Sequence, residues 1–434
     1  MNIKSTKSDV TPTTLSDFQA VLDNAQVMTG YNSILGAASS DNIIIPDNYL
    51  NSVDATSRNA YLWLKDIFGN SPSYDWQYCY QMVGYSNIVL DGLNKLTSAT
   101  GTIQVDNIRG SALFYRAFAF YQLSQLFCKP YVSASATTDL GIPIRLTSDV
   151  NIHTSRGTVQ QCYDQITSDL KAAITLLPQT PLYKTRPCSV AAAALLAKVY
   201  LAMSDYKDAY LYADGTLKSY STLLDYNTLS VSQYDPFPTF KQGNPEIIYY
   251  ATSYGLSVTW PSSDFGRVDT SLYRSYDPED LRKVAFYAPD ATTGLFIFIG
   301  SYDQSYNFCG IATDEIYLIR AECSARAGNV DAAISDLNAL LKHRYLSTAF
   351  VPFAASDNNI LLTKILLERR KELPFTGNIR WEDLRRLNMD QRFKSTINRV
   401  YNGTIYSLEP GNDKYVLPIP QDAIQLDGLQ QNLR

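Results

Sequence analysis

The stretch Val190-Ala-Ala-Ala-Ala-Leu-Leu-Ala197-Lys-Val-Tyr200, continued by Ser204-Asp205-Tyr206 and Ala209, decides how this chain folds. Residues 190–204 and 206–218 read as two helices joined by a tight turn, with Ala197 and Ala209 twelve positions apart. Small residues at such points let antiparallel helices approach closely. The register returns downstream, with Ala321 in one helix, Gly328-Asn329 at the turn and Ala333 in the next. Leu196, Tyr200 and Ala213 occupy tetratricopeptide-type positions, whereas Arg320 and Ser324 replace the large apolar residues of the second pair. A generic helical hairpin with alanine at its crossing explains the spacing too. Both readings give an all-α fold, and repeats of the first kind stack into a superhelix. A superhelix is a scaffold and not itself an activity.

Working outward, apolar periodicity predicts helices over 14–29, 76–96, 108–127 and from Thr158 to Leu177. Residues 222–310 differ. They hold Pro236, Pro238, Pro245, Pro261 and Pro278 and many rings, with strand-like runs at Ile247–Ala251 and Leu295–Ile299. This reads as long loops with a few short strands. Helices resume at 313–327, 329–345, 360–372 and 381–387, before an extended tail at 415–420. The expected organisation is one domain over 1–434, with repeats mainly in 76–220 and 313–390. The loop-rich part falls mainly in 30–75 and 222–310.

The 434 residues carry 37 basic and 42 acidic side chains, a net charge of −5, which lacks the basic footprint of a phosphate-backbone binder. Charged residues make up 18%, below the roughly 25% of an average soluble chain. Tyrosine, at 32 residues against 17 phenylalanines, takes over part of the polar surface. Its ring and hydroxyl suit a wet contact face. The longest apolar run, Val190–Ala197, is far short of the ~18 residues of a membrane span. Six cysteines show no C-x-x-C pairing, and the two histidines, His153 and His343, are far apart. No metal or cofactor is expected. Met1-Asn-Ile-Lys-Ser5 carries no apolar signal segment.

Catalytic motifs are sparse. No G-x-S-x-G, P-loop or dinucleotide fingerprint occurs. Glu368 and Glu372 share a helix face and could serve glycoside hydrolysis. The adjacent Arg369, Arg370 and Lys371 favour ionised, paired carboxylates instead. The expectation is a network of Arg369, Arg370, Glu372, Arg380 and Asp383 fixing the 373–380 turn. The aromatic loops are the better functional signal, because sugars offer flat C–H faces to rings and hydroxyls to polar groups. Candidate contacts are Tyr74 and Asp75, read as loop residues after Gly69-Asn-Ser-Pro72, together with Asp41, Trp260 and Phe265. Tyr302 and Tyr306 are the fallback for a stacking site.

An ordered series of segments is similar to the SusD/RagB family of nutrient-binding outer-membrane lipoproteins of Bacteroidetes. It runs through Trp76-x3-Tyr80-x6-Asn87, Arg109–Leu123, Gly141-Ile-Pro143, Asp169-Leu170, Ala192–Leu201 with Asp205-Tyr206, and Asp314–Glu322. Its most specific part is Glu368-Arg-Arg-Lys-Glu-Leu373 with Gly377 and Arg380-Trp-Glu-Asp-Leu-Arg385, followed by Leu417-Pro-Ile-Pro420 and Gln431-Asn432. The resemblance implies tetratricopeptide-like helix pairs packed on a loop-rich ligand-binding half, and no catalysis. It also implies an oligosaccharide ligand and a SusC-like TonB-dependent transporter as partner. The family's lipidated N-terminal cysteine is unmatched, since the first cysteine is Cys79. The expectation is an outward-facing outer-membrane protein whose signal peptide and lipidated cysteine are absent from this chain. The chain is also short for the family, which implies trimmed loops.

Overall fold

The computed structural model describes residues 12–96, 101–260, 263–355 and 357–434. The reading of Met1–Ser5, and the Pro261-Ser262 part of the Trp260 loop, lie outside these.

Several framework helices begin on a side chain that satisfies an otherwise unpaired amide. Ser73 accepts from Trp76 N at the start of helix Tyr74–Lys95. Thr158 and Gln161 form a reciprocal capping box opening Val159–Leu176, and Asp205 accepts from Asp208 N to open Tyr206–Ser219. Helix Ile103–Phe127, between the first two, buries rings on nearly every side. It therefore forms the centre of the first half instead of a surface.

Arg116, from that central helix, holds the early helices together. Its guanidinium reaches Asp169 at 2.8 Å and the side-chain oxygen of Asn87 at 3.0 Å, linking three helices through one buried side chain. The predicted helix pairs are present as Ser189–Ala202 with Tyr206–Ser219, and Thr313–Arg326 with Val330–Leu341. Ala197, Ala209, Ala321 and Ala333 are all fully buried. Gly328 takes φ 80° between the second pair, a left-handed conformation that favours glycine.

The fold is mostly helical, with only two-stranded antiparallel sheets among the described residues. Two of these organise the loop-rich half. Ile43–Ile44 pairs with Arg267–Val268, and Ile247–Tyr249 pairs with Ile311–Ala312. A hairpin of Ile397–Tyr401 and Thr404–Leu408 turns at Asn402-Gly403, where both residues have positive φ. That is the turn which matches strand twist.

The ion network departs from expectation. All five predicted residues are paired, but in three separate groups whose partners come from distant segments. Arg369 bridges Glu315 and Asp383. Glu372 binds Arg282 at 2.8 Å and Arg344 at 2.6 Å, and Arg344 continues to Glu246. Arg370 and Arg380 both turn to Asp41. A helix carrying alternating charges faces several neighbours at once, so sequence adjacency does not decide who pairs with whom.

Candidate functional site

The two loop regions proposed for ligand contact are joined by backbone and amide hydrogen bonds. Asn32 is the hub. Its side-chain nitrogen donates to the carbonyls of Thr29 and Thr252, and its oxygen accepts from Gln122. Thr252 N donates to Thr29 O at 2.7 Å, and Ser253 N to Asn307 O at 3.0 Å. Asn307 in turn donates to Thr259 O and Phe375 O. Segment 251–259 is thus fixed between residues 29–34 on one side and 307–309 on the other.

This stitching gathers rings into a ridge. Tyr74 and Tyr78 stack one helical turn apart, with centroids 5.5 Å apart and planes 10° from parallel. Tyr31 lies 4.5 Å from Tyr78, and Tyr254 meets both Tyr74 and Tyr78 edge-on at 5.8 Å. Gly255 follows. A Cβ there would sit 3.2 Å from the Trp260 ring and 3.5 Å from the Tyr306 ring, so the missing side chain lets both rings close in. Tyr74 is 50% exposed and Tyr306 45%, while Tyr31, Tyr78 and Trp260 are half-buried. The surface therefore presents several ring faces and hydroxyls on a rigid base. Such amphipathic rings cost little entropy when they bind.

The predicted residues fare differently. Tyr74 stands in the tyrosine group, and Trp260 lies beside Gly255, the residue that follows Tyr254. Tyr74 and Asp75 are not in a loop, however. They are the first two residues of helix Tyr74–Lys95, because Ser73 caps it and the helix starts two residues earlier than the apolar pattern suggests.

Asp75 is buried and cannot touch a ligand. Its carboxylate accepts from Ile34 N at 2.7 Å, Leu35 N at 3.0 Å and the Tyr254 hydroxyl at 2.6 Å. Burial raises its pKa above the ordinary carboxylate value against the pull of these bonds. It positions Tyr254 instead. Asp41 is likewise committed: Arg380 grips it at 2.6 and 2.7 Å, and Arg370 approaches to 3.3 Å. Burial pushes its carboxyl up, but the two guanidiniums outweigh that and hold it well below the usual range. Phe265 packs edge-on against Tyr49 at 6.4 Å, and among the described residues its ring meets no other ring.

Of the fallback pair, Tyr302 is buried with its hydroxyl on Glu246, while Tyr306 joins the ridge. Tyr31, Tyr78 and Tyr254 were missed. The Tyr74-x3-Tyr78 spacing, once placed on a helix, is the signal that finds Tyr78.

Glu368 and Glu372 are fully buried. Arg282 binds Glu368 at 2.5 Å and Glu372 at 2.8 Å, and Lys364 and Lys371 add to Glu368. Burial raises the Glu368 pKa, but Arg282, Lys371 and Lys364 together bring it down to about 2. A carboxyl held that low is a poor general acid. His153 is exposed beside Asp427 at 2.8 Å, and His343 has its pKa lowered by burial.

Two family models match the chain. One, described as starch-binding associating with outer membrane, matches residues 3–201, and the other, the SusD family, matches 297–434. SusD-like protein P2 of Formosa agariphila is 23% identical over 80% of this chain and 76% of its own. A SusD superfamily protein from Bacteroides thetaiotaomicron superposes with TM-score 0.77 at 22% identity, covering 97% of this chain and 100% of the other. A SusD-like carbohydrate binding protein from Bacteroides vulgatus gives TM-score 0.73 at 20% identity, covering 96% and 97%. These solved structures carry the fold.

Proposed function

The chain belongs to the SusD family, and on that premise we propose that it is a non-catalytic cell-surface binder of oligosaccharide. The observation that carries the reading is the ridge of Tyr31, Tyr78, Tyr74 and Tyr254 continuing through Gly255 to Trp260 and Tyr306. Ring faces stack on pyranose C–H surfaces while tyrosine hydroxyls reach sugar hydroxyls. Hydrogen bonds among 29–34, 251–259 and 307 hold the rings in place before ligand arrives, so little ordering cost is left for binding. A row of several rings suits an extended polymer better than a single sugar.

The proposal extends to delivery. A SusC-like TonB-dependent transporter is the partner, and the protein works at the outer membrane. Both elements rest on family resemblance. Against the reading of Glu368 and Glu372 as a hydrolytic pair stand their complete burial and their four cationic neighbours, Arg282, Arg344, Lys364 and Lys371. A panel of polysaccharides tests the two together. Saturable binding without release of reducing ends is the expected result. Hydrolysis abolished by Glu368→Gln would overturn it.

A further inference from the structure

A notch of about 150 Å³ opens near Tyr31 and shares no residue with the ridge. It lies between the C-terminal end of helix Leu15–Leu22 and the 183–186 turn. Leu22, Ala25 and the Tyr183 ring give it apolar surface, and Asp23, Thr29 and Arg186 give it polar surface. Two contacts tie it to the ridge. The Gln26 side-chain amide, next to Ala25, donates to the Tyr31 hydroxyl. The Thr29 carbonyl accepts from Asn32 and from Thr252 N, part of the stitching that holds the ridge.

Both walls are fixed before any ligand arrives. Residues Gln26–Gly30 form a single π turn, a wide helical turn that recurs at functional sites. The opposite wall is pinned along its backbone. Arg186 N donates to Tyr183 O at 2.9 Å, Tyr250 N to Lys184 O at 2.8 Å and the Tyr115 hydroxyl to Thr185 O at 3.0 Å. Tyr183 nevertheless remains 59% exposed. A ring held in water on a fixed turn adds little to the core and offers a stacking face.

The charges of the notch are matched and reachable. Arg186 Nε and Nη2 donate to the two Asp23 carboxylate oxygens at 2.8 and 2.5 Å, and Gln19 donates to Oδ1 at 3.0 Å. The side chains of Arg186 and Asp23 are still 29% and 37% exposed. A carboxylate has about four acceptor positions and a guanidinium five donors, so each keeps capacity beyond this pairing. Side by side they present an acceptor and a donor whose charges cancel. Adjacent sugar hydroxyls, each able to donate and accept, complement such a pair, whereas a charged ligand gains nothing from it. The space matches one six-membered ring, since a cavity of roughly 150 Å³ holds benzene.

We infer, on the reading of the ridge as a glycan platform, that this notch is a separate subsite for one neutral pyranose unit, stacked on Tyr183 with neighbouring hydroxyls on Asp23 and Arg186.

Saturation-transfer NMR on the whole protein tests this, with D-glucose, D-galactose, D-mannose and D-xylose titrated through the millimolar range. D-glucuronate and D-glucosamine are the charged counterparts. At least one neutral sugar should bind wild type saturably, and more tightly than either charged one. It should bind Tyr183→Ala and Arg186→Gln at least tenfold more weakly. Both side chains reach the surface, so the circular dichroism of the variants should match wild type. Tyr74→Ala with Trp260→Ala should keep the monosaccharide signal. The notch is refuted if no neutral sugar binds, if both notch variants bind as tightly as wild type, or if a charged sugar binds as tightly as every neutral one. Monosaccharide binding abolished by the ridge double variant alone would place the sugar on the ridge, so that the notch falls and the ridge reading stands. Oligosaccharides bound equally by wild type and the ridge double variant, with monosaccharide binding still dependent on Tyr183, would do the reverse.

Discussion

The Tyr254 hydroxyl donates a 2.6 Å hydrogen bond to Oδ2 of Asp75, joining the 251–259 segment to the start of helix Tyr74–Lys95, 179 residues away in sequence. The other oxygen of the same carboxylate accepts the amides of Ile34 and Leu35. One buried acid thus fixes the ring that connects the Tyr74–Tyr78 stack to Gly255 and Trp260.

Asp75→Ala removes that acceptor and leaves two amides and a phenol unpaired. The expected loss is about 3 kcal/mol or more in urea denaturation, at ~1–3 kcal/mol per stranded group. Asp75→Asn keeps an acceptor for the amides and should cost clearly less. Equal stability of Asp75→Ala and wild type would remove Asp75 from this role.

Arg380→Ala breaks the two-pronged contact with Asp41 and leaves that carboxylate to Arg370 alone. Stranding one partner of a buried pair costs about 3–5 kcal/mol, and the slight exposure here places the expectation near the lower end. An unchanged melting temperature would mean that the pair holds nothing in place.

Glu368 predicts an acid limb. Its folded pKa of about 2 lies below its ordinary 4.5, so between these values the unfolded chain binds more protons. The stability it contributes is present above pH 4.5 and lost as pH falls toward 2. Glu368→Gln should be less stable at neutral pH yet lose less between pH 5 and pH 2. Parallel pH profiles for the two proteins would contradict this.

Ala209 has no exposed surface at the crossing of its helix pair. Ala209→Leu should cost about 1–3 kcal/mol or more through overpacking, whereas Leu211→Ala, on the exposed face of the same helix, should stay within roughly 0.5 kcal/mol. Similar effects at both positions would refute the close crossing.

The helical framework was legible because its signals are local. Capping residues, apolar spacing and the alanines at 197, 209, 321 and 333 are all read from one window of sequence. The Asn402-Gly403 hairpin was equally local and was overlooked. Partnerships across long distances were not legible. Asp41 and Asp75 carry the side chains a sugar site would use, yet each is taken up by groups far away in sequence: Arg380 and Arg370 for one, Tyr254 for the other. Phe265 looked similar to Trp260 in sequence, but its ring packs on Tyr49. Whether a polar or aromatic loop residue is free for ligand depends on what the fold brings against it.

The most direct test of the account is calorimetric titration of wild type and the Tyr74→Ala/Trp260→Ala double variant with one set of oligosaccharides. Both rings are at the surface of the ridge, so the double variant should keep the helical spectrum and stability of wild type. The account predicts at least one glycan bound by wild type and bound tenfold or more weakly by the variant, a loss of ~1.4 kcal/mol or more. A glycan bound equally tightly by both proteins would contradict it.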